Sequence, residues 1–189
     1  MTASERHFVR AVWKYYKQHG RHTLPWRTTK NPYRILVSEI MLQQTQVERV
    51  IPKYRSFIAR FPTVASLAAA PLSAVLREWQ GLGYNRRAKM LHECAKTIVR
   101  EYGGRFPREQ VSLMALPGIG EYTAGAVRAF AYNIPSVCIE TNIRSVFIHH
   151  FFTHDTDVHD VDIRKLVERT MDSRKPREWY AALMDYGTY

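Results

Sequence analysis

Residues 116–125 read Leu116-Pro117-Gly118-Ile119-Gly120-Glu121-Tyr122-Thr123-Ala124-Gly125, and the rest of the chain is organised around them. An apolar residue, a Pro-Gly turn and a second glycine two positions on connect two segments of helical pattern. Gly118 and Gly120 can take backbone angles that strain other residues, and both let the main chain approach a partner closely. A helix that begins past Gly120 points N–H groups outward that have no intrahelical acceptor. That end carries partial positive charge and suits an anion, most simply a phosphate. Taken alone, Pro-Gly-x-Gly reads more simply as a tight connection between two helices. The remaining residues tip the balance.

The 189 residues suffice for one ordinary domain or two small lobes sharing a core, and 46% hydrophobic content is enough for a globular interior. The net charge of +11, from 28 Lys and Arg against 17 Asp and Glu, makes a polyanion the expected partner. The charge is spread along the chain, so a solvated surface explains part of it. Charge alone does not separate DNA from RNA or an anionic membrane. It implies only an affinity that falls as salt rises. No uninterrupted apolar run approaches the ~20 residues that span a bilayer. Residues Met1 to His7 lack the apolar core of a secretory signal, so a cytoplasmic protein is expected. The two cysteines, Cys94 and Cys138, argue against a disulfide framework, and no cysteine pair has metal-ligand spacing.

Helical periodicity runs through the whole chain, with no convincing alternating strand pattern, no repeat and no low-complexity tract. About ten helices are expected, including Glu5–Gln18, a helix from Asn31-Pro32 to about Gln44, and Val47–Phe61. Further on, Val64–Ala69, Leu72–Trp79, a long helix ending at Gly103-Gly104, Tyr122–Tyr132, Val137–Phe152, Val161–Asp172 and Arg177–Gly187 follow. Glu39 lies among apolar residues, where an unpaired carboxylate is costly. Either a salt bridge to Arg34 or Arg49 accommodates it, or burial favours its protonated form and makes it an acid. Gln43, Gln44 and Thr45 break the apolar pattern at a helix end, where polar residues ordinarily meet water. Trp26 in its Pro-containing loop reads as a core anchor, and Tyr84 in its glycine turn as a packed residue.

Four stretches carry a resemblance: Leu24-Pro25-Trp26-Arg27, then Ser38-Glu39-Ile40-Met41-Leu42-Gln43-Gln44-Thr45-Gln46-Val47, then Gly81-Leu82-Gly83-Tyr84, and the hairpin. With them the chain resembles the helix-hairpin-helix DNA glycosylases, and within these the adenine glycosylases of the MutY type. The Gln43-Gln44-Thr45 run is the most specific match, and the similarity continues in order from about Trp13 to Gly187. The resemblance implies an all-α, two-lobed fold with the active site in the cleft between lobes. One lobe covers about 27–132, with the hairpin at 112–125, and the other combines 1–26 with 133–189. It also implies a monomer acting on double-stranded DNA that contains a mismatch or an oxidised base, with no membrane partner.

Residue by residue, the resemblance makes Glu39 the acid that protonates the departing base. Trp26, Arg27 and Leu42 line the pocket for that base. Gln43, Gln44 and Thr45 face the duplex, and Gln44 fills the space left by the extruded nucleotide, offsetting part of the few kcal/mol that extraction costs. Tyr84 stacks into the DNA beside the target. By their own charge Arg86, Arg87 and Lys89 read as phosphate contacts that position rather than specify, and Gly118 and Gly120 of the hairpin as DNA-binding. Tyr122 occupies the place where strand-cleaving relatives carry a Schiff-base lysine, so a monofunctional enzyme is expected. Asn142 matches a residue close to the DNA backbone.

Three departures from the family pattern stand out. Glu140 replaces the family aspartate whose fixed charge stabilises the sugar cation, and it is one methylene longer. Ala181 replaces a Glu or Gln that relatives hold against the adenine edge. The four cysteines of the iron–sulfur cluster found in most relatives are missing from these 189 residues, as is the C-terminal domain that reads oxidised guanine, so no cofactor or metal is expected in this chain. Three activities remain open: an adenine glycosylase acting opposite guanine or oxidised guanine, a thymine–guanine mismatch glycosylase, and a lesion-binding protein that cuts no bond.

Overall fold

The structure is a computed structural model that describes residues 1–153 and 157–188. Among the described residues there are eleven α-helices and no strand. Two compact units divide the chain. One is Thr23–Tyr132, and the other joins Met1–His22 to the segment from Asn133 onward.

The first unit holds α2 (Pro32–Leu42), α3 (Val47–Arg60), α4 (Val64–Ala69), α5 (Leu72–Trp79), α6 (Asn85–Tyr102), α7 (Gln110–Met114) and α8 (Glu121–Tyr132). Helix α2 starts where Asn31 accepts a hydrogen bond from the Arg34 N–H and Pro32 fits the first turn. It is buried on nearly every side because α3, α6 and α8 all pack against it. The long α6 supports α4 and α5. Trp79, fully buried, meets Phe57 edge-on at 5.9 Å between ring centroids. Trp26 packs edge-on against Tyr54 of α3 at 5.5 Å. That contact draws the Leu24–Arg27 loop into this unit, so the boundary falls at His22/Thr23, a little before the expected 26/27. Burial pushes the Tyr54 phenol up to about 12.

The second unit holds α1 (Ala3–His19), α9 (Thr141–Phe151), α10 (Asp160–Thr170) and α11 (Pro176–Tyr186). Phe8, Phe147 and Trp179 form its aromatic centre, with Phe8 lying 5.1 Å from Phe147 and 6.2 Å from Trp179. Two buried carboxylates fasten the chain ends: Glu5 pairs with Arg169, and Asp185 accepts from both the backbone N–H and Nε of Arg21. The helix expected from Val137 begins only at Thr141. Residues 137–140 lie outside regular secondary structure, where the Cys138 N–H donates to the Tyr180 hydroxyl at 3.1 Å, and Glu140 caps the helix from outside. Burial raises the Tyr180 phenol above its ordinary range, and its O–H donates in turn to Ser136 at 2.6 Å.

Candidate functional site

The hairpin is α7, residues 115–120 and α8. Leu116 and Ile119 are buried and anchor the loop, and the Ile119 N–H donates to the Leu116 carbonyl at 3.2 Å. Gln110 ties the two helices, donating to the Glu121 carbonyl at 3.2 Å and accepting from Arg128 at 3.3 Å. The two glycines differ. Gly118 has φ +75°, and a Cβ there would meet the Met90 Cβ at 2.7 Å, so the fold itself requires it. At Gly120 φ is not left-handed and a Cβ would meet nothing within 4 Å. Its surroundings within the chain leave room for a side chain.

Because α8 starts directly after this loop, its first turn presents Tyr122 towards α2. The Tyr122 O–H donates to Oε2 of Glu39 at 2.9 Å, across 83 residues of sequence. Glu39 is only 7% exposed. A phenol is thus one partner of Glu39, while Arg49, one of the cations considered from sequence, donates to the Gly81 carbonyl. A buried carboxyl beside a phenol can pass a proton to a bound group. Tyrosine has no amine with which to form a Schiff base. Trp26 is buried and Arg27 half-buried in the loop closed by Arg27 N–H to the Leu24 carbonyl at 2.8 Å. Leu42, half-buried, ends α2.

Past Leu42 the chain turns sharply. Gln44 is exposed with φ 53°, and Tyr84, 64% exposed, has φ 49°. Asn133 is the third non-glycine residue with positive φ among the described residues, and its side chain is bonded to the Arg174 carbonyl and the Arg177 N–H. Asparagine tolerates that region, whereas glutamine and tyrosine are strained there by about 1–2 kcal/mol each. Such strain persists only where the surroundings hold it. Arg87 donates to residues that flank both positions. Nη1 donates to the carbonyls of Ile40 at 2.9 Å, Met41 at 3.2 Å and Gln43. Nη2 donates to Thr45 Oγ1 at 3.2 Å and to the carbonyls of Leu82 at 3.0 Å and Gly83 at 3.4 Å. Burial lowers the guanidinium's pKa from its ordinary value, with the Tyr84 phenol opposing. The group still remains a cation.

Arg87 thus turns inward, because these acceptors engage both of its terminal nitrogens. Arg86 and Lys89 are the exposed cations of the same turn of helix. Thr45 also faces inward, bonded to Arg87 and to the Gln43 carbonyl. The Trp79 indole adds a bond to the Gly83 carbonyl at 3.1 Å. The ties from Arg87 to residues 40–45 had no local signal, since donor and acceptor lie 42 to 47 residues apart in sequence.

In the other unit Glu140 is the N-cap of α9, with Oε1 accepting from the Ile143 N–H at 2.8 Å. Asn142 is exposed in the first turn, and Gly187 packs against it, leaving 3.2 Å between Asn142 Cβ and a Cβ placed on the glycine. Ala181 is buried on α11. Cys94 and Cys138 are buried, one in each unit, which does not fit the four thiolates of a [4Fe–4S] cluster. Among the described residues no group of three or more His, Cys, Asp or Glu is placed to hold a metal. No helix among them is long and apolar enough to cross a membrane.

An all-α chain with a Gly-x-Gly hairpin that delivers a tyrosine to a buried glutamate belongs to the class of helix-hairpin-helix base excision repair proteins. The family model described as HhH-GPD superfamily base excision DNA repair protein matches residues 37–172, and the chain belongs to that family. It is 40% identical over 184 residues to an adenine DNA glycosylase of Buchnera aphidicola subsp. Baizongia pistaciae (strain Bp), covering 95% of this chain and 52% of the relative. It is 51% identical over 129 residues to an adenine DNA glycosylase of Mycolicibacterium smegmatis, covering 68% and 44%. The chain spans about half the length of the curated relatives it matches. Among solved structures, a thermostable thymine-DNA glycosylase superposes with a TM-score of 0.88 at 27% identity, covering 97% of this chain and 86% of that one.

Proposed function

We propose that the chain is a monofunctional DNA glycosylase, acting in the cytoplasm as a monomer on double-stranded DNA, that hydrolyses the N-glycosidic bond of adenine opposite guanine or oxidised guanine. The observation that carries this reading is the hydrogen bond from Tyr122 to Glu39, which sets a buried carboxyl at the start of the helix after the hairpin. Glu39 gives the departing base a proton, because a neutral base leaves far better than its anion. Glu140 keeps a negative charge for the sugar cation that develops as the bond breaks. Water completes the hydrolysis, and the strand stays intact because no lysine replaces Tyr122. Gln44 and Tyr84, exposed and held in strained conformations, suit insertion into a duplex, and the curated adenine glycosylase relatives support adenine as the base released.

A second reading, thymine opposite guanine, is favoured by the solved thymine-DNA glycosylase and by Ala181, whose side chain has no polar group for adenine. Single-turnover release from duplexes with adenine or thymine opposite guanine or oxoguanine distinguishes the two. Adenine release with nicking only after alkali or heat is the expected result, and borohydride should trap no protein–DNA product. Release of thymine alone selects the second reading. Tight binding with no release from any of the four duplexes leaves a lesion-binding protein.

A further inference from the structure

Gln44 and Tyr84 lie on separate loops, one after α2 and one before α6, and Arg87 touches both loops. Its two terminal nitrogens reach six acceptors, four in residues 40–45 and two in residues 82–83. The Ile40 and Met41 carbonyls belong to the last turn of α2, where helix carbonyls lack intrahelical donors and a cation is favoured. The guanidinium also lies 5.3 Å from the Tyr84 ring centroid and 5.7 Å from that of Trp79, a cation–π arrangement that fixes the exposed tyrosine from below. The two terminal nitrogens of a planar fork can span both loops, whereas an ammonium is a point charge on a single nitrogen and cannot reproduce the pattern.

We propose that Arg87 is a positioning residue that ties the end of α2 to the Gly81–Tyr84 turn, so that Gln44 and Tyr84 enter the duplex as one preset pair. Resting on the glycosylase reading above, this gives Arg87 a role in extruding the target nucleotide without contact to DNA. Ordering both side chains beforehand removes that cost from the insertion step, and a displacement of ~1 Å in such a site can slow a reaction ~100-fold.

The test compares Arg87→Lys and Arg87→Met with the parent chain, measuring single-turnover base release, the salt dependence of duplex affinity, and hydrogen exchange at residues 43–45 and 82–84. Arg87→Lys should slow release ~10–100-fold and speed exchange in both loops together, and Arg87→Met, which removes the charge, should leave the salt slope unchanged. In a Gln44→Ala/Tyr84→Ala background the same substitution should cost less than about threefold, because it acts through residues already removed. A salt slope reduced by about one would make Arg87 a phosphate contact and overturn the proposal. Full additivity in that background, or unchanged exchange in either loop, would also overturn it. If Arg87→Met does not fold, Arg87→Lys, which keeps the charge and stem, carries the test through base release, exchange and the Gln44→Ala/Tyr84→Ala background. If the parent releases no base, the glycosylase reading fails on its own, while exchange and salt slope still decide whether Arg87 ties the loops.

Discussion

Glu39 lies inside α2, buried, and meets the O–H of a tyrosine delivered by another helix. Glu140 stands one residue outside α9, half-buried, and meets the backbone N–H of its own helix. The side chains are identical and the surroundings opposed. A buried position penalises the charged carboxylate, whereas a helix N-terminus rewards it with partial positive charge. In the proposed function one residue type takes two tasks, proton delivery and fixed negative charge, from two different places in the chain. The removal of either carboxylate at constant shape tests that division.

The largest effect is expected from Glu39→Gln. The amide keeps the size and accepts the Tyr122 hydrogen bond but has no proton of suitable acidity to give. Base release should fall ~10²–10⁴-fold, the range of general acid catalysis, with duplex affinity within a few-fold of the parent. A variant that releases base at the parental rate would break the comparison, since Glu39 would then be a structural residue only.

Glu140→Gln should come next, slowing release ~10²–10³-fold through loss of the charge that opposes the sugar cation. The amide oxygen can still accept from the Ile143 N–H, so the cap survives and only its charge–dipole part, about 0.3–1 kcal/mol, is lost from stability. A hundredfold rate loss corresponds to about 2.7 kcal/mol, so rate and thermal melting together separate catalysis from capping. A rate change no larger than the stability change would reduce Glu140 to a helix cap.

Much of this arrangement was legible in the sequence. Val64–Ala69 and Leu72–Trp79 form helices with the expected bounds, because Thr63 and Pro71 mark their starts and the apolar spacing does the rest. Glu39 stood out as a carboxyl in an apolar run, but its partner lies 83 residues away and no local pattern encodes that. Residues 137–140 looked like part of the next helix, although Val137, Cys138 and Ile139 are weak helix formers, and the Cys138 N–H is instead bonded to the Tyr180 hydroxyl. The Pro-Gly turn announced Gly118, while Met90, the neighbour that forbids a side chain there, belongs to α6. Arg87 looked like one more surface cation. Only folding brings the six acceptors of two loops within its reach.

The smallest and most informative change is Glu140→Asp. It keeps the charge and moves it back by about one carbon–carbon bond. Aspartate is among the best N-caps, so the start of α9 should be at least as stable as in the parent, within about 0.5 kcal/mol. The rate then isolates reach from charge. The family pattern places an aspartate here, and if Glu140 is merely a tolerated substitute, the shorter side chain raises the rate. The structure argues the other way. Glu140 Oε1 already meets the Ile143 N–H at 2.8 Å, so the preceding residues, held through Cys138 and Tyr180, set the backbone at the distance a glutamate needs. Aspartate caps from a shorter reach, so keeping the bond to the Ile143 N–H places its carboxylate elsewhere than that of Glu140, with residues 138–140 held by their tie to Tyr180. Glu140→Asp should therefore slow base release, by ~10-fold and less than Glu140→Gln, with melting nearly unchanged. A faster Glu140→Asp would mean that the backbone here has not adapted to glutamate.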